Sequence, residues 1–254
     1  MDSPVGDLAK LGSSWNWLLA YTRLREATEQ IPLNLLSADE RDRVGRMRQS
    51  KDRERHAWGR ILVRRLLSGL GAAPAGEIQI EVDSHGKPFV REGFPFSISH
   101  SGDCVLVAID RTGAVGADVE YIARKAKTLE LARHFFHTEE VAYIESGGED
   151  QTTRFFRVWT AKEAYIKAVG LGLGISLSSF QVVDGDGDQG NILPCSGPEQ
   201  LRWIRPLPGY ISAVCSAQVH KMGCVVEFGT ASGEDLFTVL SSRSVPAVAH
   251  SIAD

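Results

Sequence analysis

Two carboxylates stand two residues apart in the run Val115-Gly116-Ala117-Asp118-Val119-Glu120-Tyr121-Ile122. Residues i and i+2 of a strand face the same side, so Asp118 and Glu120 project together. Like charges side by side cost energy unless a cation or basic group offsets them. Oxygen ligands at this density suit Mg²⁺, which takes one or two carboxylates and completes its shell with water and substrate phosphates. A solvated strand end is the competing reading. A second set, Trp159, Glu163 and Lys167, falls at i, i+4 and i+8, on one face of a helix. Glu163 there fits a third metal carboxylate or a general base, and Lys167 a phosphate contact. An ordinary surface Glu–Lys pair fits too, but the neighbouring Trp159, Phe155 and Phe156 argue for a partly buried face. Lys162, next to Glu163, faces a different side of the helix.

Three more features carry polar chemistry. Phe96-Ser97-Ile98-Ser99-His100-Ser101-Gly102 places hydroxyls, an imidazole and a glycine at a strand end. That set suits an anion-binding loop, or a turn whose side chains cap the backbone. It lacks the Gly-x-Ser-x-Gly elbow of a hydrolase nucleophile. Gly86-Lys87-Pro88 is a rigid turn presenting one lysine, without the pattern of a Walker loop. The third is a basic segment. Residues 41–65 hold ten basic and three acidic side chains, a net of +7, while the rest of the chain carries −11 and the whole −4. The mild total hides this asymmetry, which needs an anionic partner or a solvated face to explain it. No helix-turn-helix, zinc-finger or RNA-recognition signature accompanies it, so a small polyphosphate fits at least as well as nucleic acid.

The elements that must position these residues follow from composition and pattern. With 254 residues, 43% apolar and 24% charged, the chain is an ordinary globular sequence, long enough for two compact halves. Met1 to Lys10 lacks an apolar signal core, and no run approaches the roughly 18 apolar residues of a membrane span. Cys104, Cys195, Cys215 and Cys224 form no Cys-x-x-Cys pair, and Cys104 and Cys215 sit in apolar runs as small hydrophobes. A cytoplasmic protein without a membrane anchor is expected.

The pattern predicts a long helix over 38–70, with Ser37 and Glu40 as its capping box and Trp58, Leu62, Leu66 and Leu70 as its apolar stripe. Strands are predicted at 78–82, 96–99, 105–109 and 115–122, and helices at 128–135, 138–146 and 151–169. The last helix closes on Gly170 and Gly172. Further strands are predicted at 180–183, 202–204, 210–216 and 224–228, with a loosely attached tail after about 230. Helix, strands, helices, strands is an α+β order, built from α/β halves. We expect a division into 1–112, with the basic helix and nucleotide-binding elements, and 113–254, with the metal site and catalytic helix.

Each motif is modest alone, but their order is specific. Gly86-Lys87-Pro88, Phe96-Ser97-Ile98-Ser99-His100-Ser101, Val115-Gly116-Ala117-Asp118-Val119-Glu120, and Trp159-Thr160-Ala161-Lys162-Glu163-Ala164-Tyr165-Ile166-Lys167 with Gly170-x-Gly172 resemble the 4′-phosphopantetheinyl transferase superfamily. Arg133-His134-Phe135-Phe136-His137-Thr138-Glu139-Glu140 resembles its intervening segment. The likeness covers roughly residues 37–183, and the length points to the two-half, Sfp-type branch.

The resemblance implies two similar halves related by pseudo-twofold symmetry, with coenzyme A in the cleft between them and Mg²⁺ on its pyrophosphate. It implies transfer of phosphopantetheine to a serine of an apo acyl or peptidyl carrier protein, with release of adenosine 3′,5′-bisphosphate. Carried over by motif, Asp118, Glu120 and Glu163 are the metal carboxylates, and Asp118, Glu163 and Lys167 the catalytic set. Lys167 meets the pyrophosphate, Ser99 and His100 a coenzyme A phosphate, Lys87 the nucleotide end, and Arg55, with Arg43 assisting, the 3′-phosphate. The family often has additional lysines early in this helix, and here Glu40 and Asp42 intervene among arginines. A monomer is implied, since one chain supplies both halves, with neither nucleic acid nor membrane as partner. The competing functions are a Mg²⁺-dependent hydrolase of nucleotides or of the coenzyme A pyrophosphate, a nucleic-acid module on 41–65, and an esterase using Ser99 or Ser101.

Overall fold

The computed structural model describes residues 8, 15–24, 31–122, 127–185, 187–194, 200–217, 219, 221, 223–231 and 234–241. Two five-stranded sheets lie face to face, each covered outside by helices. The first half contains β1 (Trp17–Arg23), α1 (Ala38–Arg46), α2 (Ser50–Gly69), the short β2 (Glu81–Val82) and β3 (Pro88–Phe89), β4 (Phe96–Ser101) and β5 (Cys104–Asp110). The chain then enters the second half through β6 (Val115–Tyr121). There follow α3 (Thr128–Phe135), α4 (Thr138–Glu145), α5 (Gln151–Val169), β7 (Gln181–Asp184), β8 (Gln189–Leu193), β9 (Gln200–Ile204) and β10 (Tyr210–Ser216). It ends with β11 (Gly223–Ala231) and β12 (Glu234–Ser241). The sheets run β12-β11-β1-β5-β4 and β6-β10-β9-β8-β7, and β2 pairs with β3 in a separate hairpin.

The layering explains the apolar runs. On β1 and β5, Leu18, Ala20, Val105, Val107 and Ile109 face the helix α2 core with Ile61, Leu62 and Leu66. Their neighbours Trp17, Leu19, Tyr21, Cys104, Leu106 and Ala108 meet Val115, Ala117, Val119 and Val214 in a core between the sheets. Strands buried on both faces read as continuous hydrophobic runs rather than alternating ones. A third core packs α5 against the second sheet through Phe155, Phe156, Ala161 and Ala164. Cys104, Cys215 and Cys224 are buried, consistent with packing roles; Cys195 lies outside the described residues. Among the described residues no helix is long and apolar enough to cross a membrane.

Three expectations change. The helix predicted over 38–70 is two, broken at Met47–Gln49, where the backbone turns extended. Arg53 donates to the freed carbonyls of Met47 and Arg48 at 2.9 and 3.3 Å, which satisfies the break. The capping box of Ser37 and Glu40 is present at the start of α1. Second, β1 lies at the centre of the first sheet, between β11 and β5. No strand was predicted there. Third, the first sheet draws on both chain ends: β11 runs parallel to β1, and β12 pairs with β11. The region after 230 therefore includes a paired strand, and the first half is not made from residues before 113 alone. Crossing back lets β11 cover an edge that β1 would otherwise expose. The tail after Ser241 lies outside the described residues.

Candidate active site

The two sheets meet at their edges, β4 and β6, and the meeting is made by side chains. Ser97, Ser99 and Ser101 alternate along β4. Their hydroxyls accept from the backbone amides of Ala117 at 3.0 Å, Val119 at 3.3 Å and Tyr121 at 3.2 Å. Three serines thus satisfy the amides that an edge strand would leave unpaired. Two of them also reach carboxylates: Ser99 donates to Asp118 Oδ1 and Ser101 to Glu120 Oε2, each at 2.7 Å.

Gly116, Asp118 and Glu120 share the face of β6 turned towards α5, as the two-residue period requires. A Cβ at Gly116 would stand 2.9 Å from the Ala164 carbonyl carbon, and closer still to its oxygen and to the Ala168 nitrogen. The missing side chain lets α5 lie directly on β6. That close approach brings the helix side chains to the strand carboxylates. Lys167 Nζ donates to Asp118 Oδ1 at 2.6 Å and to Ser99 Oγ at 3.1 Å. Burial, then the charges of Asp118 and Glu120, push the Glu163 carboxyl above its usual range, and Lys167 partly offsets this. Glu163, Asp118 and Glu120 therefore share one electrostatic site. Asp118 is 6% exposed, and its second oxygen, Oδ2, is buried without a hydrogen-bond partner. A buried carboxylate oxygen left bare needs a cation or a proton. Hard oxygen donors with one bare lone-pair site fit Mg²⁺ by chemistry. Among the described residues no three acidic, imidazole or thiol groups yet converge at ligating distance from one point; Lys167 holds Asp118 in this arrangement.

On the opposite side of β4, α2 supplies basic groups. Arg55 Nε donates to the Gly102 carbonyl at 2.8 Å, and its Nη1 pairs with Asp52 Oδ1 at 2.9 Å. This fixes Arg55 at the β4–β5 turn, beside His100. Surrounding protein, then the charges of Arg55 and Lys167, lower the His100 pKa. The same turn holds Tyr210 Oη, which accepts from the Asp103 amide at 2.9 Å and so links the halves. Arg43 is exposed on α1, close enough to His56 and Arg60 to disfavour their charged forms. Glu40 turns inward and pairs with Arg64 at 2.9 Å and Arg60 at 3.7 Å. Several groups of the basic window are thereby engaged within the protein. Arg60 and Arg64 serve Glu40, Arg53 caps a helix end, and Lys51 pairs with Asp103 at 3.1 Å.

Two predicted site residues are placed differently from expectation. The Lys87 ammonium donates to the carbonyls of Val115, Lys167 and Ala168. It closes the C-terminus of α5 from the other half, where the helix dipole favours a cation, instead of presenting a charge outward. The Ser99 hydroxyl spends its one donor and both acceptor sites on Asp118, Val119 and Lys167. It orients these groups in this arrangement. Lys162 does face away from Glu163: fully buried, it bonds Glu140, Leu177 O and Phe180 O at 2.7–2.8 Å. The residues that sequence reasoning passed over are Gly116 and Ser101 in its link to Glu120. Their signals were a glycine two positions before Asp118 and the alternation of serines on β4.

The description "4′-phosphopantetheinyl transferase superfamily" matches residues 114–215, which hold β6 and α5, and "4′-phosphopantetheinyl transferase, N-terminal" matches 25–112. The 4′-phosphopantetheinyl transferase psf-1 of Bacillus pumilus is 34% identical over 197 residues, covering 76% of this chain and 83% of that protein. The chain belongs to the 4′-phosphopantetheinyl transferase superfamily. Sfp of Bacillus subtilis is 33% identical over 190 residues, covering 73% of this chain and 84% of Sfp. HetI of a Nostoc species is 35% identical over 144 residues, 54% and 61% of the two chains. Both are named 4′-phosphopantetheinyl transferases. The two-half architecture around the β4–β6 seam is this superfamily's Sfp-type arrangement, as the motifs implied.

Proposed function

We propose that the protein transfers the 4′-phosphopantetheine arm of coenzyme A to a serine hydroxyl of an apo acyl or peptidyl carrier protein. The observation that carries this reading is the bare, buried Oδ2 of Asp118 beside Glu120, Glu163 and Lys167, with Arg55 and His100 across the same strand edge. Acidic groups for a cation and basic groups for phosphates lie within one seam. A polyphosphate co-substrate with a divalent ion needs both.

Asp118, Glu120 and Glu163 would hold Mg²⁺. When bound, the ion supplies positive charge to the pyrophosphate as negative charge builds in the transition state. Lys167 uses two of its three ammonium donors on Ser99 and Asp118, so the third is left for a pyrophosphate oxygen. Arg55, His100 and, from α1, Arg43 face the remaining phosphates. The carrier serine oxygen bonds to the β-phosphorus as the bridging P–O bond breaks, and adenosine 3′,5′-bisphosphate leaves with the electron pair. The serine proton passes to Glu163, the carboxylate that burial and the neighbouring acidic charges hold above its usual range. A monomer in the cytoplasm belongs to the same reading, because one chain supplies both sides of the seam.

The test mixes the protein with coenzyme A, Mg²⁺ and a panel of apo carriers, and reads intact mass. At least one carrier should gain one phosphopantetheine, and Asp118→Ala and Glu163→Ala should abolish the gain. Phosphate or nucleotide release from coenzyme A without any carrier would instead assign a hydrolase.

A further inference from the structure

The serine ladder does more than join the sheets. Its three rungs accept from β6 amides in the same way, but they differ on their donor side. Ser101 Oγ accepts from Tyr121 N–H and donates to Glu120 Oε2, while Ser99 Oγ does the same between Val119 N–H and Asp118 Oδ1. Ser97 accepts from Ala117 N–H opposite Gly116 and Ala117, where no carboxylate stands. A hydroxyl held by an amide on one side has its proton aimed away, here at the carboxylate. Each such bond polarises the next. The amide that locks each serine belongs to the residue following the carboxylate it orients. Strand geometry, serine rotamer and carboxylate direction are thus fixed as one unit.

We infer that Ser101 is a positioning residue that aims the Glu120 carboxylate at the Mg²⁺ site. This rests on the proposed function, since Glu120 must be a ligand for its direction to matter. Without Ser101, Glu120 keeps its place on β6 but loses the hydroxyl donor that holds its Oε2. A ligand that must be reoriented on binding holds its metal less well. Removal of such an orienting partner costs about 10–100-fold in metal affinity. Ser97 provides the internal comparison, because it makes the same rung without a carboxylate.

The experiment measures Mn²⁺ binding to the full chain by the loss of the free-ion paramagnetic signal, with coenzyme A present. The Mg²⁺ concentration for half-maximal transfer is measured in parallel. Ser101→Ala should raise the Mn²⁺ Kd about 10–100-fold and move the Mg²⁺ requirement with it. At saturating Mg²⁺ it should keep most of kcat. Ser101→Thr retains the hydroxyl and should return the Kd to within about threefold of wild type. Ser97→Ala should lower thermal stability while leaving the Kd within about twofold. Equal Kd changes in Ser101→Ala and Ser97→Ala would overturn the inference, as would a Ser101→Ala protein that binds Mn²⁺ like wild type. A wild-type chain that transfers phosphopantetheine yet binds Mn²⁺ equally well as Glu120→Ala would overturn it too, and would leave the transferase reading standing. A wild-type chain that neither binds the ion nor modifies any carrier would remove both.

Discussion

Lys162 precedes Glu163 in α5, and replacing it should unfold the protein before it affects the proposed chemistry. Its side chain is fully buried and that of Glu140 is 2% exposed. The ammonium donates to Glu140 Oε2 at 2.8 Å and to Leu177 O and Phe180 O at 2.7 Å. Burial depresses its pKa, and the Glu140 charge opposes that. Glu140 in turn accepts from the amides of His137 at 2.9 Å and Val182 at 2.7 Å. One ion pair therefore ties α4, α5, the Leu177–Ser179 turn and β7.

Lys162→Met keeps the stem and removes the charge. Glu140 is then left buried and uncompensated, which costs about 3–5 kcal/mol. Against a total of roughly 5–15 kcal/mol, that is a large share. At about 2–4 °C per kcal/mol for a chain of this size, Tm should fall by roughly 6–20 °C. Urea unfolding at pH 7 measures the loss directly. Adding Glu140→Gln to Lys162→Met should recover part of it, because the orphaned charge is gone. Below the new Tm, kcat should stay within a few-fold of wild type. The reasoning is refuted if Lys162→Met shifts stability by less than about 1 kcal/mol. It is equally refuted if stability holds while kcat collapses, which would place the ammonium in the chemistry.

Gly116→Ala should cost at least the ~1–3 kcal/mol of an overpacked core and reduce transfer as well, since α5 must lift off the strand that carries Asp118; a variant with wild-type unfolding and turnover would contradict the close approach. Lys87→Met should lose about 1–2 kcal/mol from the end of α5 with little change in the coenzyme A KM; a KM raised tenfold at unchanged stability would return this ammonium to the nucleotide. His56 is held neutral by burial and by Arg60 and Arg43, which lower its pKa from 6.5 to about 4. The unfolded chain takes up that proton first, so stability falls as pH drops from 6.5 towards 4. About 1 kcal/mol should be lost at pH 5 after allowing for partial exposure, and His56→Gln should flatten that limb in urea titrations at pH 7 and pH 5.

The candidate chemistry was legible in the sequence because strand and helix periods are local. Asp118 and Glu120 had to share a face, and Glu163 and Lys167 had to share another, whatever the rest of the chain did. The capping box at Ser37 and Glu40, α5 and its glycine stop were legible for the same reason. Order and spacing of the motifs then identified the superfamily. The sequence did not reveal what joins distant segments. β1 reads as a plain apolar run, and only its pairing with β11 and β5 makes it the centre of a sheet. The basic window looked like a surface for anions until Glu40 turned inward and took two of its arginines. Lys87 and Ser99 looked like ligand groups, but the packing of one half on the other spends their donors on α5 carbonyls and on Asp118. Periodicity decides which side chains share a face. Which face meets which, and so which polar groups still lack a partner, depends on burial and pairing between segments that are remote in the chain.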